Sequence, residues 1–323
     1  MAIGRKGIGL AVVGGVAAGV MWAARRERAS VRGWLVSHVA VPLFFGKKRG
    51  LPEFHRRIAE ARTAGPALPS AKVRARYRFA DTVVAGGRVF RLAPKEGPTS
   101  PTRVLYLHGG AYVFDLLAPQ WVLACALVDR TGGEVVAPLY PLAPENQVEA
   151  GLAAALANHR ALVAEVGAAR VVVAGDSAGG GLALALAQRL RDAGEPLPAS
   201  LVLIFPWLDA TCSAPDQPAI ERLDPILDLE QLREAGRMWA GDSDPALPPV
   251  SPLFGDQAGL PPAIAVVGTH DVLLPDTRRL AAMRPETEVH EYPGMIHGFI
   301  CAPVPEAAHA LDAIGAFITR HVA

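Results

Sequence analysis

Apolar residues recur along the chain in two alternating rhythms. Short runs at Val104 to Leu107, Val135 to Ala137, Val171 to Ala174, Leu201 to Phe205 and Ile264 to Val267 are apolar on both faces. Such runs predict central strands of a parallel sheet that is covered on both sides. Val73 to Phe79 instead alternates with basic residues, the pattern of an exposed edge strand. A short strand is expected at Val289 to Tyr292. Between these runs lie helical spacings. Leu152, Leu156, His159 and Val163 share one helix face. Leu182, Leu186 and Leu190 repeat every fourth position until Gly194 and Pro196 stop that helix. Ala307, Leu311, Ile314 and Ile318 predict a closing C-terminal helix. Alternation of this kind predicts an α/β chain with a mostly parallel sheet and helices on both faces. In such sheets chemistry collects at the carboxyl ends of the strands.

Two regions break the rhythm. Residues 212–262 are rich in proline and read as an inserted cap segment, at about 212–250, followed by a loop. The N-terminus carries an uncharged stretch, Gly7 to Ala24, flanked by Arg5 and Lys6 before it and by Arg25, Arg26 and Arg28 after it. As a helix it would span about 27 Å, close to the hydrocarbon thickness of a bilayer. A membrane-associated helix within residues 1–30 is the expectation. A cleaved signal peptide and an ordinary packed helix are the rival readings, and the Arg-rich run directly after the apolar stretch disfavours cleavage. The heavier basic flank on the C-terminal side would leave the main domain cytoplasmic. Trp34 to Gly46 is again apolar and ends in Lys47, Lys48 and Arg49. It suits either a membrane interface or a cap helix packed on the body.

Composition narrows the function. The chain has 323 residues and a net charge of +1, with 6% aromatics. So even a charge balance and so few aromatics argue against a basic stripe or a stacking platform, and no nucleic-acid partner is expected. Cys125, Cys212 and Cys301 form no C-x-x-C pair, and an odd count argues against a disulfide framework. They are expected to be buried small hydrophobes. There is no H-E-x-x-H and no cluster of His and Cys ligands, so no metal is expected.

The chemistry-bearing motifs fall at predicted strand ends. Gly175-Asp176-Ser177-Ala178-Gly179-Gly180 follows the Val171 run and opens the Leu182 helix, the context required of a G-x-S-x-G nucleophile elbow. Flanking glycines let strand and helix approach, and the helix N-terminus favours developing negative charge. His108-Gly109-Gly110-Ala111-Tyr112 follows the Val104 run. The amides of Gly109 and Gly110, with that of Ala178, are the expected oxyanion donors. His108 reads as a support for that loop. Asp271 follows the Ile264 run, and His297 follows the Val289 strand. The order Ser177, Asp271, His297 is that of a hydrolase nucleophile, acid and base. Asp276 competes for the role of the acid. His270 reads as a neighbour without a role, His159 as a core or interface histidine, and His38, His55, His309 and His321 lie in no motif.

HGGAY, GDSAGG, the Asp271 loop and His297-Gly298-Phe299 together resemble the hormone-sensitive-lipase branch of the α/β-hydrolases, the bacterial family IV carboxylesterases. Tyr140-Pro141-Leu142-Ala143-Pro144-Glu145, Phe205-Pro206-Trp207-Leu208-Asp209 and Ser251-Pro252-Leu253-Phe254 are similar to further segments of that branch. The resemblance implies an α/β-hydrolase fold over residues 73–323, an eight-stranded sheet and a small cap built from residues 31–72 and the insertion. It also implies cofactor-free hydrolysis of small-molecule acyl esters through an acyl-enzyme, with acyl chains of octanoyl length or shorter. Assembly as a homodimer is compatible with it. Pro141 stands where the branch has Arg, and Leu139 where it usually has Asp. Proline rigidity is expected to replace the bidentate brace those residues would form. Val272 replaces a proline and Ala111 a third glycine. Plant gibberellin receptors resemble this branch but lack the histidine. The presence of His297 separates a hydrolase from such a binding module.

Overall fold

The computed structural model describes residues 17–46 and 50–322. Eight strands form one sheet: β1 (Tyr77–Val84), β2 (Gly87–Pro94), β3 (Arg103–Leu107), β4 (Glu134–Pro138), β5 (Val171–Asp176), β6 (Ser200–Ile204), β7 (Ala263–Gly268) and β8 (Glu288–Tyr292). Their order is β1-β2-β4-β3-β5-β6-β7-β8. The β1–β2 and β2–β4 pairs are antiparallel, and every other pair is parallel. From β3 the chain moves to β4 on one side and later to β5 on the other. The crevice at the carboxyl ends of β3 and β5 is therefore the topological switch point, where an open sheet of this class binds its ligand.

The longer helices are α1 (Leu51–Ala64), α2 (Gln120–Thr131), α3 (Val148–Val166), α4 (Ala178–Asp192), α5 (Leu229–Ala240), α6 (Leu274–Met283) and α7 (Pro305–His321). Successive strand residues point to opposite faces, so each strand feeds two cores. Leu105, Leu107 and Val173 pack with α3 and α4 on one side, while Val104, Tyr106 and Val172 pack with α2 and α7 on the other. Burial on both faces is why these strands read as unbroken apolar runs.

Several expectations are corrected. Val73 to Phe79 is not one strand. The Ser70 side chain accepts the Val73 amide and caps a short helix, Ala71–Arg76, so the edge strand begins only at Tyr77. Strand β2 is an addition to the expected set. It returns from β1 through Ala85 and Gly86, both with positive φ, 49° and 82°. The three cysteines are free, but only Cys212 is fully buried; Cys125 and Cys301 are partly exposed. Of the Gly7 to Ala24 stretch, residues 7–16 lie outside the described residues. Residues 17–26 are helical, and no helix among the described residues is long and apolar enough to cross a membrane.

The insertion leaves the sheet after β6 and contains α5, which packs against α1 of the N-terminal segment, with His55 Nε2 3.1 Å from Glu234 Oε1. Before α1, helical turns at Val31–Leu35, Val36–Ala40 and Val41–Phe45 form an arm. Ser30 caps the arm and is tied to α7: its amide donates to Glu306 Oε1 at 2.6 Å and its hydroxyl to Oε2 at 2.9 Å.

Candidate active site

Ser177 lies on the turn between β5 and α4 with φ 54° and ψ −121°, a conformation that costs an L-residue about 1–3 kcal/mol. The surrounding chain enforces it. Its amide donates to Ile204 O and its carbonyl accepts from the Trp207 amide, both at 2.9 Å, which anchors the elbow to the end of β6. The flanking glycines are required by contact. A Cβ on Gly175 would lie 2.1 Å from Gly179 O, and one on Gly179 would lie 1.9 Å from Leu107 O. The motif therefore reflects three backbones meeting, β3, β5 and α4. Ser177 is 6% exposed.

The loop after β3 brings its amides to the same place. Asp176, beside the serine, is buried and organises it. Its carboxylate accepts from Tyr106 Oη at 2.5 Å, from the Gly109 amide at 2.9 Å and from Gln120 Nε2 at 3.0 Å. The Gly109 amide is thus committed to Asp176, which corrects its expected place among free donors. Among the described residues the amides of Gly110, Ala111 and Ala178 take no partner. Ala111 was not in the expected set. Its signal was its place directly after His108-Gly109-Gly110, where the resembling branch has a third glycine, hidden by its not being glycine. Gly110 sits at φ 127° and Ala111 at φ 51°, and a Cβ on Gly110 would strike Phe114 O at 2.4 Å.

His108 supports this loop, as expected. Burial holds its pKa below the ordinary value, its Nδ1 lies 2.9 Å from Gly109 O, and its ring stacks on Tyr140 at 4.4 Å. Behind the loop, Tyr112 stacks on Trp239 of α5 at 4.3 Å and 3°, and on Trp207 at 5.5 Å. The proline-rigidity expectation is also corrected. Arg62 of α1 donates to Val113 O at 2.7 Å, to Ala143 O, and to Glu145 Oε2 at 3.1 Å. A guanidinium from the N-terminal segment braces the loop that lacks its own arginine.

Asp271 and His297 meet. His297 Nδ1 lies 2.8 Å from Asp271 Oδ2, with the carboxylate fully buried. Burial disfavours the imidazolium, but Asp271, with Asp224 and Asp176 behind it, outweighs burial and holds the His297 pKa above 6.5. The ring sits edge-on to Phe205 at the end of β6, centroids 4.7 Å apart, and β6 lies beside the Ser177 elbow. No hydrogen bond joins the ring to the Ser177 hydroxyl among the described residues. Asp276, the competing acid, is elsewhere. It accepts the amides of Leu208 and Asp209 at 2.9 and 3.0 Å, and burial followed by repulsion from Asp209 pushes it up to about 7. His159 is a core residue on α3, its pKa lowered to about 4 by burial. Asp224, in the insertion, was not singled out from sequence because no motif surrounds it.

A small cavity of about 50 Å³ lies beside His297, lined by Val36, Ser37 and Val41 of the arm, Ile226 of the insertion and Ile296. A larger surface hollow of about 320 Å³, walled by Arg62, Asp115 and Tyr140, touches neither Ser177, Asp271 nor His297. It adjoins the segment that Arg62 braces, with Leu142 and Glu145 in its wall.

Residues 104–301 match the family model for the alpha/beta hydrolase fold. An acetyl-hydrolase of Streptomyces hygroscopicus is 39% identical over 236 residues, covering 71% of this chain and 77% of that protein. An esterase of Acinetobacter venetianus is 34% identical over 224 residues, covering 67% and 74%. Among solved structures, a hormone-sensitive lipase from a metagenome library superimposes with a TM-score of 0.77 at 28% identity, covering 86% of this chain and 94% of the other.

Proposed function

The chain belongs to the hormone-sensitive-lipase branch of the α/β-hydrolase family and is an ester hydrolase, and we propose that it cleaves short acyl esters through Ser177, His297 and Asp271. The observation that carries this reading is the buried Asp271–His297 pair at 2.8 Å, whose loops follow the carboxyl ends of strands parallel to the one that ends in the strained Ser177 turn. His297 Nε2 takes the Ser177 proton as Oγ bonds to the acyl carbon and the carbonyl oxygen becomes an oxyanion. The amides of Gly110, Ala111 and Ala178 receive that charge. The tetrahedral adduct collapses, and the ester C–O bond breaks as the imidazolium proton passes to the leaving alcohol. Water then repeats the sequence on the acyl-enzyme, releases the acid and restores the serine. Asp271 fixes the ring tautomer and stabilises the imidazolium throughout. The Ser177–His297 hydrogen bond forms as substrate enters, since such contacts tighten in the Michaelis complex.

Residues 31–72 and about 212–250 serve as the cap. Val36, Ser37 and Val41 of the first segment and Ile226 of the second line the cavity beside His297, and the short-chain reading is supported by the acetyl-hydrolase and esterase relatives. A series of p-nitrophenyl esters from acetate to palmitate tests this. Turnover should peak at octanoate or below, and Ser177→Ala should abolish it at unchanged circular dichroism. A palmitate optimum would reject the short-chain reading, and an active Ser177→Ala would reject the nucleophile.

Membrane contact through the arm is part of the proposal. Trp22, Leu35, Val39 and Leu43 are exposed, as are Arg25 and Arg26, and Arg26 lies over the Trp22 ring, a combination that suits an anionic bilayer surface. The full chain should co-sediment with anionic vesicles, and Leu35→Glu/Leu43→Glu should release it. Equal partition of both would remove this element.

A further inference from the structure

We propose that Glu27, His38 and His270 form a binding site for one zinc-like divalent cation that fastens the N-terminal arm to the loop carrying Asp271. Each offers one ligand atom, and the three atoms lie within 4.8 Å of one another. Glu27 follows the 17–26 helix, His38 sits in the π-helical stretch Val36–Ala40, and His270 directly precedes Asp271. No spacing in the sequence could reveal such a set, because its members come from three separate segments.

Counting protons gives the reason to place a cation there. His38 Nδ1 lies 3.0 Å from Trp34 O, a carbonyl that can only accept, so Nδ1 carries hydrogen. In a neutral ring Nε2 is then a bare acceptor, and it faces the Glu27 carboxylate at 3.2 Å. The buried atoms Glu27 Oε2 and His270 Nδ1 have no hydrogen-bond partner among the described residues. With His38 neutral and the His270 proton on Nε2, acceptors converge without a donor between them, and a cation would resolve all of them at once. Two imidazoles and a carboxylate are a zinc-type donor set that leaves a coordination position for water. The His38 Nδ1–H donated to a carbonyl is the outer contact by which ligating histidines fix their tautomer. The His38 ring is also held flat against Trp34, centroids 4.7 Å apart at 8°, and crosses the His270 ring at 5.3 Å.

The placement gives the site a consequence. The His270 amide donates to Met295 O at 2.9 Å and the Gly294 amide to Thr269 Oγ1 at 2.8 Å, so the loops carrying Asp271 and His297 are already joined. Ligation adds the arm whose Val36 and Val41 line the cavity beside His297. A bound cation would hold that wall in place and stabilise the whole chain.

The test uses the untagged full-length chain, stripped with chelator and titrated with Zn²⁺ by calorimetry and with Co²⁺ by visible absorption. One ion per chain should bind, with the intense visible bands of low-coordinate Co²⁺ bearing nitrogen ligands. Zn²⁺ at a hundredfold excess over its Kd should raise Tm by about 5 °C. His270→Asn and Glu27→Gln, each chosen to preserve packing, should weaken binding about 100-fold or more and remove the Co²⁺ spectrum. Failure of the wild-type chain to bind at stoichiometric Zn²⁺, or equal binding by the wild type and both variants, would overturn the site. So would a Tm that falls in Glu27→Gln but never responds to Zn²⁺, which would identify a protonated His38–Glu27 ion pair instead. None of these readouts depends on ester turnover.

Discussion

Asp224 Oδ2 accepts the backbone N–H of Val272 at 3.1 Å, so the inserted segment grips the acid loop one residue beyond Asp271. Its other oxygen accepts the amides of Ile226 and Leu227 at 2.8 and 3.1 Å. A second buried carboxyl thus stands beside the Asp271–His297 pair. Burial, then the charge of Asp271, pushes the Asp224 carboxyl up to about 6. In return, Asp224 adds to the field that favours the His297 imidazolium.

This predicts a pH profile. A general base must be neutral, and the His297 pKa is raised, so kcat/KM should rise with pH through an apparent pKa above 6.5. Asp224→Asn removes one negative neighbour, so the rising limb should move to lower pH while the plateau keeps its height. An unmoved limb would show that Asp224 only shapes the loop. The linked effect on stability has the opposite sense. A raised histidine pKa stabilises the fold fully below the unfolded value near 6.5, and that increment is lost as pH climbs through the folded pKa.

The two candidate acids are separated by parallel substitutions. Asp271→Asn should lower kcat by about 10⁴, since the amide favours the wrong tautomer of the ring it faces. Asp276→Asn should leave kcat within about twofold, because Asp276 makes no contact with His297 and its contacts are amides of Leu208 and Asp209. Steady-state kinetics on one soluble ester decides. Reversal of the two results would exchange their roles.

The elbow glycines make a stability prediction. Gly179→Ala would force a Cβ to 1.9 Å from Leu107 O, where only backbone can yield. It should cost at least about 3 kcal/mol in urea unfolding. Gly194→Ala is the control, with φ 64° but nothing within 4 Å, and should cost only about 1–2 kcal/mol. A loss at Gly179 no larger than that at Gly194 would mean that the elbow backbones yield to the added Cβ.

Arg62 tests whether the N-terminal segment positions the oxyanion loop. Arg62→Ala leaves the carbonyls of Val113 and Ala143 without their donor and should lower kcat about tenfold, with a stability loss of about 1–3 kcal/mol. Arg62→Lys should recover little, because a point charge cannot reproduce the fork. Full kcat in Arg62→Ala, alongside the stability loss, would limit the residue to holding α1 in place.

The central strands were legible because β3, β5, β6 and β7 are buried on both faces and announce themselves as apolar runs. The outer hairpin was not. Ser70 captured the start of the expected edge strand for a helix, and β2 mixes buried and exposed positions without clean alternation. The Gly86-Gly87 pair was the available signal for its turn. Ser177, Asp271 and His297 could be put forward from sequence because each follows a strand within a compact motif. Gly109 was misjudged because an amide's partner, here Asp176, is fixed by tertiary contact. Asp224, Arg62 and the Glu27–His38–His270 cluster reach their places from distant segments, where no local pattern marks them.

The most direct measurement is reaction of the full-length chain with a fluorophosphonate, followed by intact and peptide mass spectrometry. The account predicts one covalent adduct per chain, on Ser177, formed in step with loss of ester turnover and slowed by about 10³ or more in His297→Ala. An adduct on a different serine, or full ester turnover by a chain whose Ser177 is blocked, would contradict it.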